Sequence, residues 1–156
     1  MLAGFLHCRD AVKKSTLSSQ HRALLDQVQA VYAELAQRPL ERSCIGRSTC
    51  CHFSLTGKTP YLTRGEALLA ARAWRASGRK SLPASTPDGA CPFLKNNRCQ
   101  IYDARPFGCR THFCEAAGGP AARAEVRDLI QRLEDIDRAL GGEGGINLPT
   151  AVQAWM

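Results

Sequence analysis

From Thr16 to Arg38 the segment TLSSQHRALLDQVQAVYAELAQR places Leu17, Leu24, Val28, Val31, Tyr32 and Leu35 on one stripe. That spacing is the signature of an amphipathic helix. Pro39 ends it, because a proline pushes the residue before it out of helical geometry. A second periodic run, TRGEALLAARAWRASG, opens with Thr63 and Glu66 in capping-box register, where each satisfies an amide donor at the helix start. It predicts a helix over residues 64–77 with Gly78 as its stop. A third run, PAARAEVRDLIQRLEDIDRALGG, aligns Val126, Leu129, Ile130, Leu133, Ile136 and Leu140 opposite a face of alternating charge. Pro120 in its first turn and Gly141 past its last turn are the expected punctuation.

Between these runs the period is lost. Residues 39–62, PLERSCIGRSTCCHFSLTGKTPYL, are broken by Gly46, Gly57 and Pro60 and read as a first cysteine loop. The stretch RKSLPASTPDGA is a linker that returns the chain to a second cysteine segment, CPFLKNNRCQIYDARPFGCRTHFC, over residues 91–114. The final GGEGGINLPTAVQAWM reads as a loose extension with Trp155 as its one large anchor. No internal repeat is present. The fold class that follows is mostly α: a small helical scaffold of about three main helices carrying irregular cysteine-rich loops that form a metal site. One domain is expected over residues 1–140, its cluster region at 44–114, with residues 141–156 as a C-terminal tail.

A chain of 156 residues with 44% apolar content can bury one core. Its eight cysteines would form a disulfide framework in a secreted protein. The N-terminus MLAGFLHCRDAVKK argues against that route: its apolar stretch ends at Leu6, charges follow it, and no small-residue cleavage site closes it. No apolar run approaches the roughly 20 residues of a membrane span. A soluble, cytoplasmic protein with reduced thiols and no membrane partner is expected, and clustered reduced thiols point to a metal ion.

The net charge of +7 is unevenly spread, with 11 Lys/Arg against 5 Asp/Glu in residues 1–78 and 10 against 9 in the rest. From Arg42 to Arg64 there are four basic residues and no acidic one, interleaved with Cys44, Cys50 and Cys51. Thiolate ligands would offset part of this charge. A tetrathiolate zinc centre or an oxidised four-iron cluster carries about -2, and arginines can donate hydrogen bonds to the sulfurs.

The candidate ligands are Cys44, Cys50 and Cys51, then Cys91, Cys99, Cys109 and Cys114. Spacing alone gives a metal of open type: the Cys109 to Cys114 interval is zinc-like, while the others match neither zinc ribbons nor ferredoxin runs. Adjacent Cys50 and Cys51 have side chains expected to diverge, so they contact two metals, or one ligates while the other packs. Arg105 and Arg110 are candidates to bond sulfurs or an anionic ligand, with an ion pair to Asp103 as the alternative. Pro106 holds Arg105 extended. Tyr102 and Phe93 are expected to pack over the site.

The run Cys91-Pro-Phe-Leu, Cys99-Gln-Ile-Tyr102, Arg105-Pro106 and Cys109-Arg110, with the Cys50-Cys51 pair and the YLTRGEA helix start, resembles the cysteine-cluster family called YkgJ. Its members are described as zinc- or iron-chelating proteins, and the resemblance spans about residues 44–114. It implies metal binding by the cysteines and fixes neither the metal nor a reaction. Members commonly carry a further cysteine between the first and the adjacent pair, where residues 45–49 here have none. His52, His112 and Cys8 are the candidate replacements.

The sequence therefore reads as a metal-binding protein chelating zinc or iron, with an iron-sulfur cluster as one form because seven thiols exceed the four that one zinc takes. A small anionic ligand is a second candidate partner. A zinc-stabilised basic nucleic-acid-binding module is an alternative, weakened by the lack of a basic helix face, of stacking aromatics and of finger spacing. A thiol redox sensor is another, resting on the Cys50-Cys51 pair in the absence of C-x-x-C. No G-x-S-x-G, H-E-x-x-H or G-x-x-x-x-G-K-[ST] is present, so ordinary hydrolase and phosphate-loop classes have no footing.

Overall fold

Ser18 opens the first helix. In a computed structural model that describes residues 17–156, its hydroxyl accepts a hydrogen bond from the His21 N–H at 3.1 Å, satisfying one free donor of α1, Ser19–Gln37. Arg38, extended before Pro39, closes the helix. Thr16, where the predicted helix starts, lies outside the described residues. Leu25, Val28, Val31, Tyr32 and Leu35 are buried, so the expected stripe faces the core from Val28 onward and takes in Leu25, while Leu17 and Leu24 are only half-buried.

A short helix α2, Phe53–Thr56, ends at Gly57, whose φ of 64° needs the left-handed region. Strand β1, Tyr61–Leu62, leads into α3, Arg64–Ala76. The expected capping box forms there: Glu66 accepts from the Thr63 N–H at 3.0 Å and from its hydroxyl at 2.8 Å. Gly78 ends the helix at φ 84°, as its position predicts. The second cysteine segment folds into the hairpin of β2, Leu94–Lys95, and β3, Arg98–Cys99, then α4, Phe107–Thr111. Helix α5, Arg123–Ala139, starts later than its sequence suggests. Ala122 is its N-cap and Glu125 reaches back to the Ala122 N–H at 2.6 Å, so Pro120 precedes the first turn instead of occupying it.

The tail is where structure and expectation part. Residues 146–153 are not a loose extension: β4, Ile146–Asn147, pairs antiparallel with β1, setting Tyr61 opposite Asn147 and Leu62 opposite Ile146. Asn147 then caps α6, Leu148–Gln153, by accepting from the Thr150 N–H at 3.2 Å. Leu148, Ala151 and Val152 share one face and are buried. The Trp155 carbonyl accepts from Arg75 at 2.8 Å. One helical turn and a half is too short for periodicity to announce, which is why the pattern missed it.

These elements make a mostly α fold with α3 in the middle. On one side, α1 and α5 pack around Val28, Val31, Leu129 and Leu133 with Phe107. On the other, Trp74 and Ala70 of α3 meet Leu148 and Val152 of α6, together with Leu62, Phe93, Ile101 and Cys91. Helices α1 and α3 approach closely at Gly65, where a Cβ would fall 2.9 Å from Val28 Cγ2. Among the described residues no helix is long and apolar enough to cross a membrane.

Two buried acids lock this arrangement. Glu66 also accepts from Tyr32 Oη at 3.2 Å and from the Phe107 N–H at 2.7 Å, tying α1 and α4 to α3. Asp137 accepts from the Arg64 N–H at 2.6 Å and the Gly144 N–H at 2.9 Å, tying α5 to the start of α3 and to the tail. Among the described residues no buried side-chain nitrogen or oxygen lacks a partner.

Candidate metal centre

The two cysteine segments meet through their backbones. The Cys91 N–H donates to the Cys51 carbonyl at 2.7 Å, the Phe53 N–H to the Gly89 carbonyl at 3.1 Å, and His52 bridges Ala90. The linker of residues 79–90 thus delivers the second segment against the first. A 3-10 turn over Ser48–Cys51 presents the first pair of thiols. In the hairpin, Asn96 and Asn97 both take positive φ, 50° and 57°, the two-residue turn whose twist matches the flanking strands. It sets Cys99 opposite Leu94. Helix α4 contributes Cys109, and its N-terminus is fixed by the Glu66 bond to Phe107.

The result is a cavity of about 670 Å³ lined by Cys44, Cys50, Cys51, Cys91, Cys99 and Cys109, six of the seven cysteines among the described residues. Cys50 and Cys51, expected to diverge, stand on one tight turn and both line this cavity. His112 lines the cavity too. Cys114 does not; it caps the 3-10 turn over Glu115–Ala117. His52 does not line the cavity either, and its Nδ1 lies 3.4 Å from Asp88 Oδ2. Cys8 lies outside the described residues.

The expected cover residues divide. Phe93 is 1% exposed and packs with its ring tilted against Trp74 at 5.4 Å between centroids, whereas Tyr102 is 49% exposed at the cavity rim. Arg105 lies 3.7 Å over the Tyr102 ring and donates to the Tyr102 carbonyl at 3.0 Å, still lining the cavity. Arg110 takes a different part. It sits 4.4 Å over the Tyr32 ring and donates to the carbonyls of Arg105 and Asp103 at 2.7 and 2.5 Å. It braces the loop that carries Arg105, and its hydrogen bonds go to carbonyls instead of sulfur or the Asp103 carboxylate.

The electrostatics follow from burial and from the paired thiols. Interaction between the adjacent Cys50 and Cys51 thiols pulls Cys50 down to about 6 and, with burial, pushes Cys51 up. Burial raises Cys91 to about 12 and raises Cys99 and Cys109 as well. The lining contains no Asp or Glu and four cations, Arg47, Lys58, Arg98 and Arg105. Arg47, Lys58 and Arg98 were not singled out as site residues, though Arg47 and Lys58 lie in the acid-free stretch that signalled them.

This donor set has the chemistry of a zinc or iron site: thiols and one imidazole, without the carboxylates that calcium or magnesium requires. Among the described residues no three His, Cys, Asp or Glu side chains already stand close enough to hold one ion. The thiols share a space without being gathered to a point, so ligation would draw the loops inward, the usual coupling of metal binding to local order.

A helical scaffold that turns six thiols into one cation-lined cavity defines a cysteine-cluster protein. The chain belongs to the CxxCxxCC family, described as a "Putative zinc- or iron-chelating domain", whose model matches residues 42–130. No curated protein and no solved structure matches the chain. The family's own pattern, laid on Cys44, Cys50 and Cys51, puts Arg47 where its second cysteine stands.

Proposed function

We propose that the protein binds zinc or iron through Cys50, Cys51, Cys91, Cys99 and Cys109, with Cys44 at the mouth of the site and His112 as a nitrogen donor. The observation that carries this reading is the convergence of six thiols from two chain segments on one cavity. Cys114 and His52, which do not line the cavity, are left out of the ligand set. Six thiols exceed the four of a tetrahedral zinc, which favours a centre of more than one metal atom, an iron-sulfur cluster being the form that uses iron and spare thiolates. Reduced thiols fit a cytoplasmic setting, and the surrounding cations suit a negatively charged second occupant.

The test is anaerobic purification followed by elemental analysis, acid-labile sulfide determination and a visible spectrum. Stoichiometric metal that is lost in Cys91→Ala, Cys99→Ala and Cys109→Ala supports the reading. Brown protein with iron and sulfide assigns the cluster, and colourless protein with zinc assigns a zinc site. Protein that holds no metal after loading with either ion sinks it.

A further inference from the structure

We propose that the cavity is also a binding site for a small organic anion, a carboxylate or phosphate compound, held by Arg47, Lys58 and Arg98 beside the thiols. The inference rests on the chelation reading for its charge balance, and three observations carry it.

The first is charge. Four cations line the cavity and no acid does. A four-thiolate centre would offset about two of them, leaving an excess of about +2 at a concave surface whose low-dielectric walls strengthen any attraction. Among the described residues Arg47, Lys58 and Arg98 make no ion pair. Ion pairs do form elsewhere, Arg38 with Glu34 and Asp128, Arg42 with Glu125 and Arg132 with Glu34. Four of the cations without an ion pair among the described residues, Arg47, Lys58, Arg98 and Arg105, share the cavity with the thiols.

The second is volume. About 670 Å³ is the size of a small-molecule pocket, many times the ~30 Å³ share of one water. A metal centre would fill only part of it. Phe53, Phe93, Ile101 and Leu148 give the remainder apolar walls, which suit a carbon skeleton more than a bare inorganic ion.

The third is the exchange at position 47. Where the family pattern has a thiol, this chain has a guanidinium that lines the same cavity. Exchanging a thiolate for arginine shifts local charge by about two units. It also adds a forked donor matched to carboxylate and phosphate oxygens. One ligand position has thus been given over to anion recognition.

Calorimetric titration of metal-loaded protein tests this with phenyl phosphate, benzoate, inorganic phosphate and uncharged benzyl alcohol. Saturable binding of phenyl phosphate or benzoate is expected, tighter than inorganic phosphate and weakened by salt, with benzyl alcohol silent. Which of the two anions binds tighter distinguishes a phosphate ligand from a carboxylate one. Arg47→Ala and Arg98→Ala should each raise Kd by about tenfold or more at unchanged metal content, and Arg47→Cys should do the same while adding a titratable thiol. No saturable binding of either organic anion, equal affinity in the Arg47→Ala/Arg98→Ala double variant, or binding confined to a single-stranded oligonucleotide would overturn the proposal. Metal retained without anion binding removes this inference alone. Anion binding in protein that holds no metal removes the chelation reading alone.

Discussion

The helical half of the molecule and the thiol cavity treat polar groups in opposite ways. Around α1, α3 and α5 each buried acid is saturated from within: Glu66 takes bonds from Thr63, Tyr32 and Phe107, and Asp137 from Arg64 and Gly144. Around the cavity, thiols and cations face an open space with no acid among them. Burying a polar group without a partner costs about 1 to 3 kcal/mol, so the first half is complete by itself. The second has thiols and cations but no acid along its lining. A scaffold that is stable without cargo can hold the loops of a site near one another before the cargo arrives.

The sharpest way to break this contrast is at Glu66. Glu66→Ala leaves the Phe107 and Thr63 amides and the Tyr32 hydroxyl without their acceptor, and urea unfolding should show a loss of about 3 kcal/mol or more. A loss under about 1 kcal/mol would mean that the helical half does not depend on its internal partners. Asp137→Ala follows, with about 2 kcal/mol expected, because it frees two amides at less buried positions.

Stripping metal with a chelator probes the other side. With free metal at 100 times its Kd the loaded protein gains about 2.7 kcal/mol, and chelation should remove that. Hydrogen exchange should then rise at residues 44–51 and 91–109 while α1 and α5 stay protected. Loss of protection in all helices together would erase the distinction between the halves.

Acidity gives two smaller tests of opposite sign. Burial raises Glu66 above its ordinary 4.5. Below 4.5 folded and unfolded chains both carry the proton. As pH climbs through the window up to the raised value the unfolded chain releases it first, and stability falls. Urea midpoints from pH 4 to 7 should show this decline, and Glu66→Gln should flatten it. The smallest change is at Asp128, which the Arg38 hydrogen bonds pull from 3.8 to about 2. Its contribution is present above 3.8 and is lost as pH falls toward 2, so Asp128→Asn should alter only the acid limb of the curve. It is an exposed pair, and such pairs contribute little.

The long helices were legible because their signals are local. Stripes of Val28, Val31 and Leu35, or of Leu129 and Leu133, repeat with the helical period, and Pro39, Gly78 and Gly141 mark ends by their own backbone preferences. The hairpin and α6 were missed for a different reason. Each is carried by two to six residues, and their cues, Asn96-Asn97 and Asn147-Leu-Pro149, are turn and cap chemistry without periodicity. The thiol cluster was legible as a composition, and six of its seven expected cysteines line one cavity, while the surroundings of each side chain were not legible. Cys109 sits on α4 and lines the cavity while Cys114, beyond that helix, does not, and Arg105 and Arg110 differ in which ring each covers. Those are tertiary facts. So is the role of Glu66, whose partners Tyr32 and Phe107 lie 34 and 41 residues away.

Leu148 forms part of the cavity wall and hangs from the Pro60 carbonyl by a hydrogen bond of 2.8 Å. During synthesis every thiol of the pocket leaves the ribosome well before this residue does. A nascent chain thus exposes an unfinished, unwalled set of reactive sulfurs for the time it takes to make residues 110–148. Over that interval its safety depends on the reducing power of its surroundings and on the order in which metal and wall arrive.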